Sequence, residues 1–471
     1  MDWADSRGIS SSHAGVAEYD PADTLILSIC NYLTVRAIAR RMGVKAMGTD
    51  AFLLIIGLLV SSVIRLIVSA LLKIGNPTRG YTRDYSYQPT VSILLPCFNE
   101  GRAVYETVES ICKSNYPKEK FEIVAIDDCS SDDSYDWLLK AREDFSDIQI
   151  RVSRNPHNSG KAETQSNALD LSAGDVILCI DSDAIFDADA IRELTACLAD
   201  PKVGAVGGAV GVRNINKNIL TACQALIYAE NFHFLKMFEN WTQSVICLSG
   251  CMLAVRRDLF VKIQPKIAAR NFFGLKVKDG EDRFLTHMVQ MEGFGTVINP
   301  SARCLTNVPD NLQTLWNQQI RWQRSGIRDF CLTLRTLHKH IWELPPNPNF
   351  IYGLYFPTLA ALISIFLLLL YPVIVLFVAP FWVAFYLVMA AFYDIFTRRS
   401  LPDQRIASPF RLLSMSAFSI WIVAGRLIEL CAMCTLDSTS WMTRQASPQP
   451  LKKHQTPIAV VLAPSEEMQG D

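Results

Sequence analysis

The stretch from Val176 to Asp183, VILCIDSD, consists of five apolar residues followed by two aspartates that one serine separates. A short apolar run rich in β-branched residues is typical of a buried strand. Three similar runs occur upstream, and a polar turn and a helix-compatible segment follow each of them: Val91–Leu95, Phe121–Ile126 and Ile148–Val152. Alternating strands and helices predict an α/β fold with a mostly parallel central sheet. Ligands of such sheets bind beyond the carboxyl ends of the strands, where these aspartates lie.

The composition points to a folded domain between membrane segments. Half of the 471 residues are hydrophobic and 19% are charged, and the mean hydropathy is +0.18. The apolar excess is concentrated near residue 51 and after residue 350, which leaves about 260 residues between them for one core. The formal net charge of -1 provides no basic field, so we expect no nucleic-acid partner. The 13 cysteines are scattered singly and predict no secreted disulfide framework.

The N-terminal part of the chain is predicted to contain a membrane helix. Residues 1–50 are interpreted as a disordered, polar tail followed by an amphipathic interfacial helix. For residues 22–45 the alternative is a poor membrane span, and the basic second half of this segment favours the interfacial helix. The next apolar block carries one charge, Arg65. Because it reaches the ~20 residues that a bilayer span requires, a transmembrane helix is predicted over residues 51–73.

Apolar blocks near the C-terminus predict transmembrane or interfacial helices over residues 350–434, which would form a channel. The first block is too long for one span, and Pro372 and Pro380 predict that the chain breaks there between two spans. The last block either crosses the membrane or lies at its surface. Clustered arginines between the blocks indicate a cytoplasmic loop, which places a catalytic domain at residues 85–345 on the same side. Residues 435–471 are interpreted as a polar tail.

Carboxylates follow the second and fourth predicted strands. Asp127 and Asp128 can accept hydrogen bonds from a base or a ribose, although Ser- and Asp-rich clusters also form helix N-caps. Asp181 and Asp183 can hold Mg²⁺ or Mn²⁺ beside substrate phosphates, although an Asx turn would explain them as well. Because such a cation neutralises charge on a departing diphosphate, the second pair indicates phosphate chemistry.

Two further charged motifs lie at predicted helix starts. Lys161 can contact a phosphate or remain a solvated surface lysine. Glu281 and Asp282 open a helix-compatible run, and the positive end of a helix lowers the pKa of a carboxyl group. Asp282 is therefore expected to be ionised at neutral pH and able to take a proton from a sugar hydroxyl. The alternative is a capping pair with a salt bridge to Arg283.

The segment QQIRW, from Gln318 to Trp322, combines a cation with an aromatic ring. Arg321 can clamp diphosphate oxygens with two parallel hydrogen bonds, and Trp322 offers a flat face to a pyranose ring. An amphipathic interfacial helix with a Trp anchor is the alternative, and both interpretations can hold together. The glycine fingerprints of a Rossmann dinucleotide site and of a P-loop do not occur in the sequence.

The chain carries, in order, the motifs DD (Asp127–Asp128), DxD (Asp181–Asp183), ED (Glu281–Asp282) and QxxRW (Gln318–Trp322), followed by apolar segments. This set of motifs resembles the processive, inverting family-2 glycosyltransferases. These include the hyaluronan, chitin and cellulose synthases and the nodulation chitin-oligosaccharide synthases. The resemblance covers residues 85–435 and implies a GT-A-type domain. Two departures leave the acceptor and the product open. Cys251 and Met252 alter a Pro-containing acceptor loop, and Met442 replaces the usual Gly in a Trp-x-Thr-Arg-like tail.

The resemblance also implies roles for the residues at matching positions. Asp282 would be the general base, with Glu281 beside it. Asp183 would be the direct ligand of Mg²⁺ or Mn²⁺, and Asp181 would share the metal and diphosphate site. The residues implied to bind the donor or the acceptor are Asp127, Asp128, Lys161, Asp181, Ser249, Gly250, Gln318, Arg321 and Trp322.

The function that the resemblance implies is polymer synthesis at the plasma membrane. Such an enzyme takes UDP-sugars, extends a polysaccharide with inversion to a β-linkage, and moves the product across the lipid bilayer. The donors would be UDP-GlcNAc with UDP-GlcA, as for hyaluronan, or UDP-GlcNAc alone, as for chitin or chitin oligosaccharides. One alternative is a non-processive transferase that makes a glycolipid linkage, against which the QxxRW motif argues. The other is a transporter or channel, which would not need acids at strand and helix ends.

Overall fold

The computed structural model of the protein describes residues 80–272, 274–277, 279–339 and 372–436. The regular structure of the chain is considered within these ranges. Several predicted segments lie outside them: the tail and interfacial helix at 1–50, the transmembrane helix at 51–73, the part of 350–434 before residue 372, and the polar tail from residue 437 onward.

A mixed sheet of eight strands forms the centre of the protein. Its strands are β1 (Val91–Cys97), β2 (Phe121–Asp127), β3 (Gln149–Arg154), β4 (Val176–Ile180), β5 (Ile185–Phe186), β6 (Val203–Val212), β7 (Met252–Arg256) and β10 (Gly295–Thr306). The spatial order is β3-β2-β1-β4-β7-β6-β10-β5. Four neighbouring pairs are parallel and three are antiparallel. The predicted α/β fold with a mostly parallel sheet is therefore confirmed.

Helices cover the sheet and continue beyond it. They are α1 (Ala103–Cys112), α2 (Ser134–Asp144), α3 (Lys161–Asp170), α4 (Ala190–Cys197), α5 (Ile219–Glu230), α6 (Lys236–Trp241), α7 (Arg257–Ala268), α8 (Glu281–Met291), α9 (Leu312–Lys339), α10 (Pro372–Ser400) and α11 (Ser408–Met433). A π-helix at Asn231–Leu235 joins α5 to α6, and short 3₁₀ turns lie at Lys118–Lys120 and Pro402–Gln404. A separate hairpin pairs β8 (Asn271–Phe272) with β9 (Leu275–Lys276).

The predictions of β1, β2 and β4 hold because these strands are covered on both faces, whereas β3 lies at the edge of the sheet and is partly exposed. Every residue of β1, β2 and β4 is buried, and strands of this kind have continuous apolar sequences. Burying one Val, Leu or Ile side chain stabilises the fold by roughly 1.5–3 kcal/mol. Two buried polar side chains of β1 and β2 bond to each other, since Oγ of Ser92 donates to Oε1 of Glu122 at 2.7 Å.

The parallel strands β1, β2 and β4 end at the same edge of the sheet. β2 pairs with β1 up to Asp127 opposite Cys97, and β4 lies on the other side of β1. The residues that follow these strands are therefore neighbours in space although they are far apart in the sequence. This edge is where the acids after β2 and β4 come together.

The C-terminal helices α10 and α11 pack against each other and against α5. A buried cluster with Phe234, Tyr393 and Phe418 lies between them and the π-helix. Pro380 lies inside α10, so the break predicted at Pro380 is wrong. A proline costs a helix interior about 3 kcal/mol, and the packing of α10 along α11 outweighs this local preference. Within the described ranges, none of the helices combines the length and the apolar character that a membrane crossing requires.

Candidate active site

A cavity of about 1060 Å³ lies at the carboxyl ends of β1, β2 and β4. Small-ligand pockets commonly measure roughly 300–1,000 Å³, so this one has room for a large, extended ligand. All but one of the residues predicted for the site line it: Asp128, Lys161, Asp181, Asp183, Ser249, Gly250, Glu281, Asp282, Gln318, Arg321 and Trp322. Six separate segments of the chain therefore meet in one place.

Asp127 is the exception, because it lies beneath the cavity. Its carboxylate forms an ion pair with Nε of Arg154 at 2.9 Å and accepts a hydrogen bond from the amide of Ser130 at 3.1 Å. Burial raises the pKa of this carboxyl group, although the Ser130 and Arg154 contacts oppose the rise. Asp127 therefore supports the turn after β2 from below.

Asp128 faces the cavity and holds the loop that precedes α3. Its Oδ1 accepts hydrogen bonds from Nδ2 of Asn155 at 2.8 Å and from the amide of Ser159 at 2.9 Å. Its Oδ2 accepts from the amide of Gly160 at 2.8 Å. Gly160 has a φ of +88°, a conformation that glycine adopts without steric cost. The carboxylate thus fixes the loop that carries Lys161 into the cavity.

Lys161 joins the two acidic motifs of the cavity. Its Nζ lies 2.6 Å from Oδ1 of Asp181 and 2.9 Å from Oε1 of Glu281. Burial alone would lower the pKa of Lys161, but the charges of Asp181, Glu281 and Asp282 outweigh it and raise that pKa well above its ordinary value. Burial would likewise raise the pKa of Asp181, and Lys161 reverses the effect and lowers it. Both groups therefore carry their charges at neutral pH.

The turn at Ser249–Gly250, together with Cys251, contacts both acidic motifs. The amide of Gly250 donates to Oδ2 of Asp282 at 3.0 Å. Sγ of Cys251 donates to Oδ2 of Asp181 at 3.0 Å. A Cβ on Gly250 would lie 3.0 Å from Nζ of Lys161 and 3.4 Å from Cβ of Asp282. The close approach of this turn to the acids therefore favours glycine at position 250.

Asp282 occupies the first turn of α8, as predicted, but its pKa moves in the opposite direction. Burial and the neighbouring charge of Glu281 raise the pKa of Asp282, against the charge of Lys161 and the amides of Gly250 and Arg283. The prediction that the helix start would lower this pKa is wrong. Desolvation and a like charge next to it outweigh the partial charge of a helix terminus, which is worth roughly 0.3–1 kcal/mol.

The acids after β4 suit a divalent cation that substrate phosphates help to hold. Asp181 and Asp183 both line the cavity, and their carboxylate oxygens are the hard ligands that Mg²⁺ and Mn²⁺ prefer. The part of the chain that the structure describes contains no cluster of three or more His, Cys, Asp or Glu residues arranged around an ion. Since Mg²⁺ usually takes one or two carboxylates and completes its shell with phosphates and water, a pair of aspartates fits.

Helix α9 supplies a further part of the cavity wall. Gln318, Arg321 and Trp322 are spaced three and four residues apart, which places them on one face of the helix, and all three line the cavity. The indole of Trp322 is 41% exposed. A guanidinium and an accessible aromatic residue therefore line the same cavity as the carboxylates, and the charge of Arg321 acts on Asp181.

Another wall was not anticipated from the sequence. Tyr228, Phe232, Lys236 and Glu239 line the cavity from α5, the π-helix and α6. Nζ of Lys236 donates to the carbonyl of Cys247 at 2.6 Å and lies 4.3 Å from the ring centroid of Phe232. The sequence of this stretch mixes apolar residues with scattered polar and charged ones and contains no recognisable motif. The π-helix, a feature frequent at functional sites, has no sequence signal either.

The architecture defines the class of protein first. A mannosyltransferase from Pyrobaculum calidifontis, solved in complex with GDP-Man and Mn²⁺, superimposes with a TM-score of 0.54 at 20% sequence identity, over 81% of this chain and 97% of the other. At this level of identity the likeness concerns the fold. The protein therefore has an α/β, GT-A-like fold.

Sequence comparison then shows which proteins the chain is similar to. Residues 92–264 match the family described as Glycosyl transferase family 2. An N-acetylglucosaminyltransferase from Azorhizobium caulinodans is 32% identical over 248 residues, 52% of this chain and 62% of the relative. A hyaluronan synthase from Streptococcus pyogenes is 30% identical over 284 residues, 58% of this chain and 65% of the relative. The chain thus spans a little under two thirds of these curated relatives. Residues 92–264 are therefore similar to a glycosyl transferase family 2 domain, which confirms the resemblance.

Proposed function

We propose that the protein is a membrane-embedded, processive glycosyltransferase that polymerises UDP-activated sugars by inverting displacement. The donors are UDP-GlcNAc alone, for a chitin-type product, or UDP-GlcNAc with UDP-GlcA, for hyaluronan. The observation that carries the proposal is the convergence of the DD, DxD, ED and QxxRW residues on one cavity of about 1060 Å³. The relatives, an N-acetylglucosaminyltransferase and a hyaluronan synthase, support both choices of donor.

Asp282 acts as the general base. An acceptor hydroxyl attacks the anomeric carbon of the donor, the bond to the diphosphate breaks, and the hydroxyl proton passes to Asp282. The raised pKa of this carboxyl group favours proton acceptance, since a base works best with a pKa nearer the operating pH. The amide of Gly250 holds Oδ2 of Asp282, and Glu281 is anchored by Lys161, so the base is oriented by its neighbours.

The leaving diphosphate is held by charge in two parts of the cavity. Mg²⁺ or Mn²⁺ on Asp183, with Asp181, would neutralise the charge that develops on the departing UDP. The Mn²⁺ in the structure of the mannosyltransferase relative supports a cation of this kind. Arg321 reaches the diphosphate from α9, where a guanidinium can form two parallel hydrogen bonds to phosphate oxygens.

The remaining residues bind the nucleotide and the sugars. Asp128 faces the cavity and contributes to the uracil and ribose site, whereas the buried Asp127 supports it from below through the turn after β2. Lys161 lies near the nucleotide. Ser249 and Gly250 adjoin the acceptor sugar. Gln318 and Trp322 cover the acceptor, and the exposed indole offers a pyranose ring a flat surface.

The proposal also assigns several helices to the membrane. Residues 51–73 form a transmembrane helix, and residues 350–434 form membrane or interfacial helices that guide the polysaccharide across the plasma membrane from a cytoplasmic domain. Large exposed apolar side chains on α10 and α11 support contact with lipid: Phe381, Val388, Ile395, Leu412, Leu413 and Ile420.

The experiment that tests this proposal measures the UDP released by the purified full-length protein in detergent with Mg²⁺ or Mn²⁺. UDP-GlcNAc is supplied with and without UDP-GlcA, and the product is digested with chitinase or hyaluronidase. Turnover with a polymer as product supports the proposal, and the digestion identifies the polymer. If the product contains only one added sugar, the protein is a non-processive transferase and not a processive synthase. Absence of turnover with every UDP-sugar would overturn the proposal.

A further inference from the structure

Cys251 lies in the cavity wall, directly after the Ser249–Gly250 turn. Its thiol donates to Oδ2 of Asp181, and Sγ and Oδ2 are 3.0 Å apart. The other oxygen of this carboxylate, Oδ1, accepts from Nζ of Lys161 at 2.6 Å. Each oxygen of Asp181 therefore has a donor from a different segment of the chain. Two such contacts fix the plane of the carboxylate group.

The same turn reaches the second acidic motif. The amide of Gly250 donates to Oδ2 of Asp282 at 3.0 Å, and Lys161 connects Asp181 to Glu281, whose Oε1 lies 2.9 Å from Nζ. The acid after β4 is thus joined to the acids that open α8 by two short links, one through Lys161 and one through Gly250–Cys251. Support of this kind holds functional groups in their working geometry.

We propose that Cys251 is a positioning residue, whose thiol orients Asp181 toward the donor diphosphate. The inference rests on the proposed function, because it takes Asp181 as part of the diphosphate site. A thiol is a weak donor, so Lys161 supplies the charge that keeps Asp181 ionised and Cys251 supplies its orientation. The sequence shows Cys251 only as a departure in the acceptor loop, and nothing in the sequence places its thiol against an acid 70 residues away.

The test compares Cys251→Ala with Cys251→Ser in the full-length protein. Cys251→Ala is expected to raise the KM for the UDP-sugar about fivefold, with kcat changed less than about twofold, because the carboxylate of Asp181 is then oriented by Lys161 alone and binding of the donor must restore its orientation. The Kd for UDP in the presence of Mn²⁺, measured by calorimetry, should rise in parallel and provides a readout independent of turnover. Cys251→Ser keeps a donor and is expected to restore both constants.

Cys331→Ala is the matched control. Cys331 is a half-buried cysteine on α9. Burial raises the pKa of its thiol, and no charged group among the described residues contributes to that rise. Its removal is therefore expected to leave KM, kcat and Kd unchanged. Melting temperatures are measured for every variant, to separate loss of orientation from loss of fold. Should Cys251→Ala fail to fold, Cys251→Val provides an apolar side chain without a donor, and the same results are expected of it.

The outcomes separate this inference from the proposed function. If a variant without the donor has the KM and Kd of the wild type, Cys251 has no positioning role. The same conclusion follows if Cys251→Ser folds normally but behaves like Cys251→Ala. A wild-type protein that neither turns over a UDP-sugar nor binds UDP would overturn the proposed function, and this inference with it.

Discussion

The charge state of a single carboxyl group in this site depends on its neighbours more than on its place in a helix. Asp282 begins α8, where the helix terminus favours a negative charge. Burial and Glu281 nevertheless raise its pKa, whereas Lys161 keeps the pKa of Asp181 below its ordinary value. Two acids in one cavity thus differ in basicity, because Lys161 contacts one of them directly and not the other.

Replacing Asp282 by Asn is expected to lower kcat about 10²–10⁴-fold, the usual contribution of a general base. An amide cannot take the proton of the acceptor hydroxyl, but it preserves the shape of the side chain. The Kd for UDP should therefore remain near that of the wild type. The measurement is UDP release under saturating donor, together with calorimetric titration of UDP.

Asp258→Asn is the control for that experiment, because Asp258 is an exposed carboxylate in the first turn of another helix, α7. It is expected to leave kcat unchanged. Activity of Asp282→Asn equal to that of the wild type would remove Asp282 from the role of base.

Backbone strain next to Asp128 gives a second prediction at this scale. Cys129 has a φ of +62°, a left-handed conformation that costs a residue with a Cβ roughly 1–2 kcal/mol. Cys129→Gly relieves this strain but loses roughly 0.5–1 kcal/mol to backbone entropy, so its melting temperature should equal or exceed that of the wild type. Cys129→Val should melt lower, since a β-branched side chain tolerates this conformation least. A higher melting temperature for Val than for Gly would contradict the interpretation.

Among the elements, helix α9 both lines the cavity and buries a carboxyl group further along the chain. One face carries Gln318, Arg321 and Trp322 into the cavity. A later turn buries Asp329, whose Oδ1 has no hydrogen-bond partner among the described residues. Burial raises the pKa of Asp329 to about 7, although Arg283 and Arg270 oppose the rise. The helix therefore contains a carboxyl group that titrates near neutrality.

Asp329→Asn is expected to change the pH dependence of stability. The folded protein binds a proton at Asp329 more tightly than the unfolded chain, because the folded pKa of about 7 exceeds the ordinary value of 3.8. The free energy of unfolding should then fall as the pH rises from about 4 to about 7. The variant lacks this loss, so its advantage over the wild type should grow across that window, to as much as about 4 kcal/mol.

Thermal or urea unfolding of both proteins, measured across that pH range, checks this prediction. Loss of the attraction to Arg283 and Arg270 reduces the gain but does not change its direction with pH. A stability difference between variant and wild type that stays constant from acid to neutral pH would show that Asp329 does not titrate in the folded state.

At the scale of the whole molecule, a short loop attaches the C-terminal helices to the sheet. Gln404, which is buried, accepts a hydrogen bond from the amide of Val212 at 2.8 Å and donates to its carbonyl at 3.2 Å. Nearby, Oδ1 of Asn216 accepts from the amide of Ala407 at 2.6 Å. The loop between α10 and α11 thus continues the hydrogen bonding of β6 beyond its last residue. It connects the helices proposed to contact the membrane to the sheet that carries the site.

Gln404→Ala is expected to weaken this attachment. The amide of Val212 would lose its buried partner, at a cost of about 1–3 kcal/mol. Hydrogen exchange at Val212 and in the loop after α10 should accelerate, while binding of UDP in the cavity remains unchanged. Gln149→Ala, at an exposed position on β3, is the control and should exchange like the wild type. Unaltered exchange in Gln404→Ala would mean that the helices are held by apolar packing alone.

Local sequence patterns predicted much of the fold. The run Val176–Ile180 was predicted as a strand and is one with the same bounds, since five consecutive apolar residues are stable only where both faces of a strand are covered. The helix α8 was also predicted from local sequence, because the acidic pair Glu281 and Asp282 stands at the start of a helix-compatible run. The continuation of α10 through Pro380 was not predicted, because the packing that tolerates a proline comes from α11 and α5 and has no trace in the local sequence.

Apolar runs in the sequence predicted β1 to β4, and therefore that acids following β2 and β4 meet at one edge, because parallel strands end on the same side of a sheet. The other four strands of the sheet, β5, β6, β7 and β10, were not predicted. The tertiary structure was needed to show that Asp128 faces the cavity and Asp127 does not. It also decided the direction of the Asp282 pKa and the contact of Cys251 with Asp181. Burial and charge contacts come from segments distant in the chain, whereas hydrophobic periodicity is a local property of the sequence.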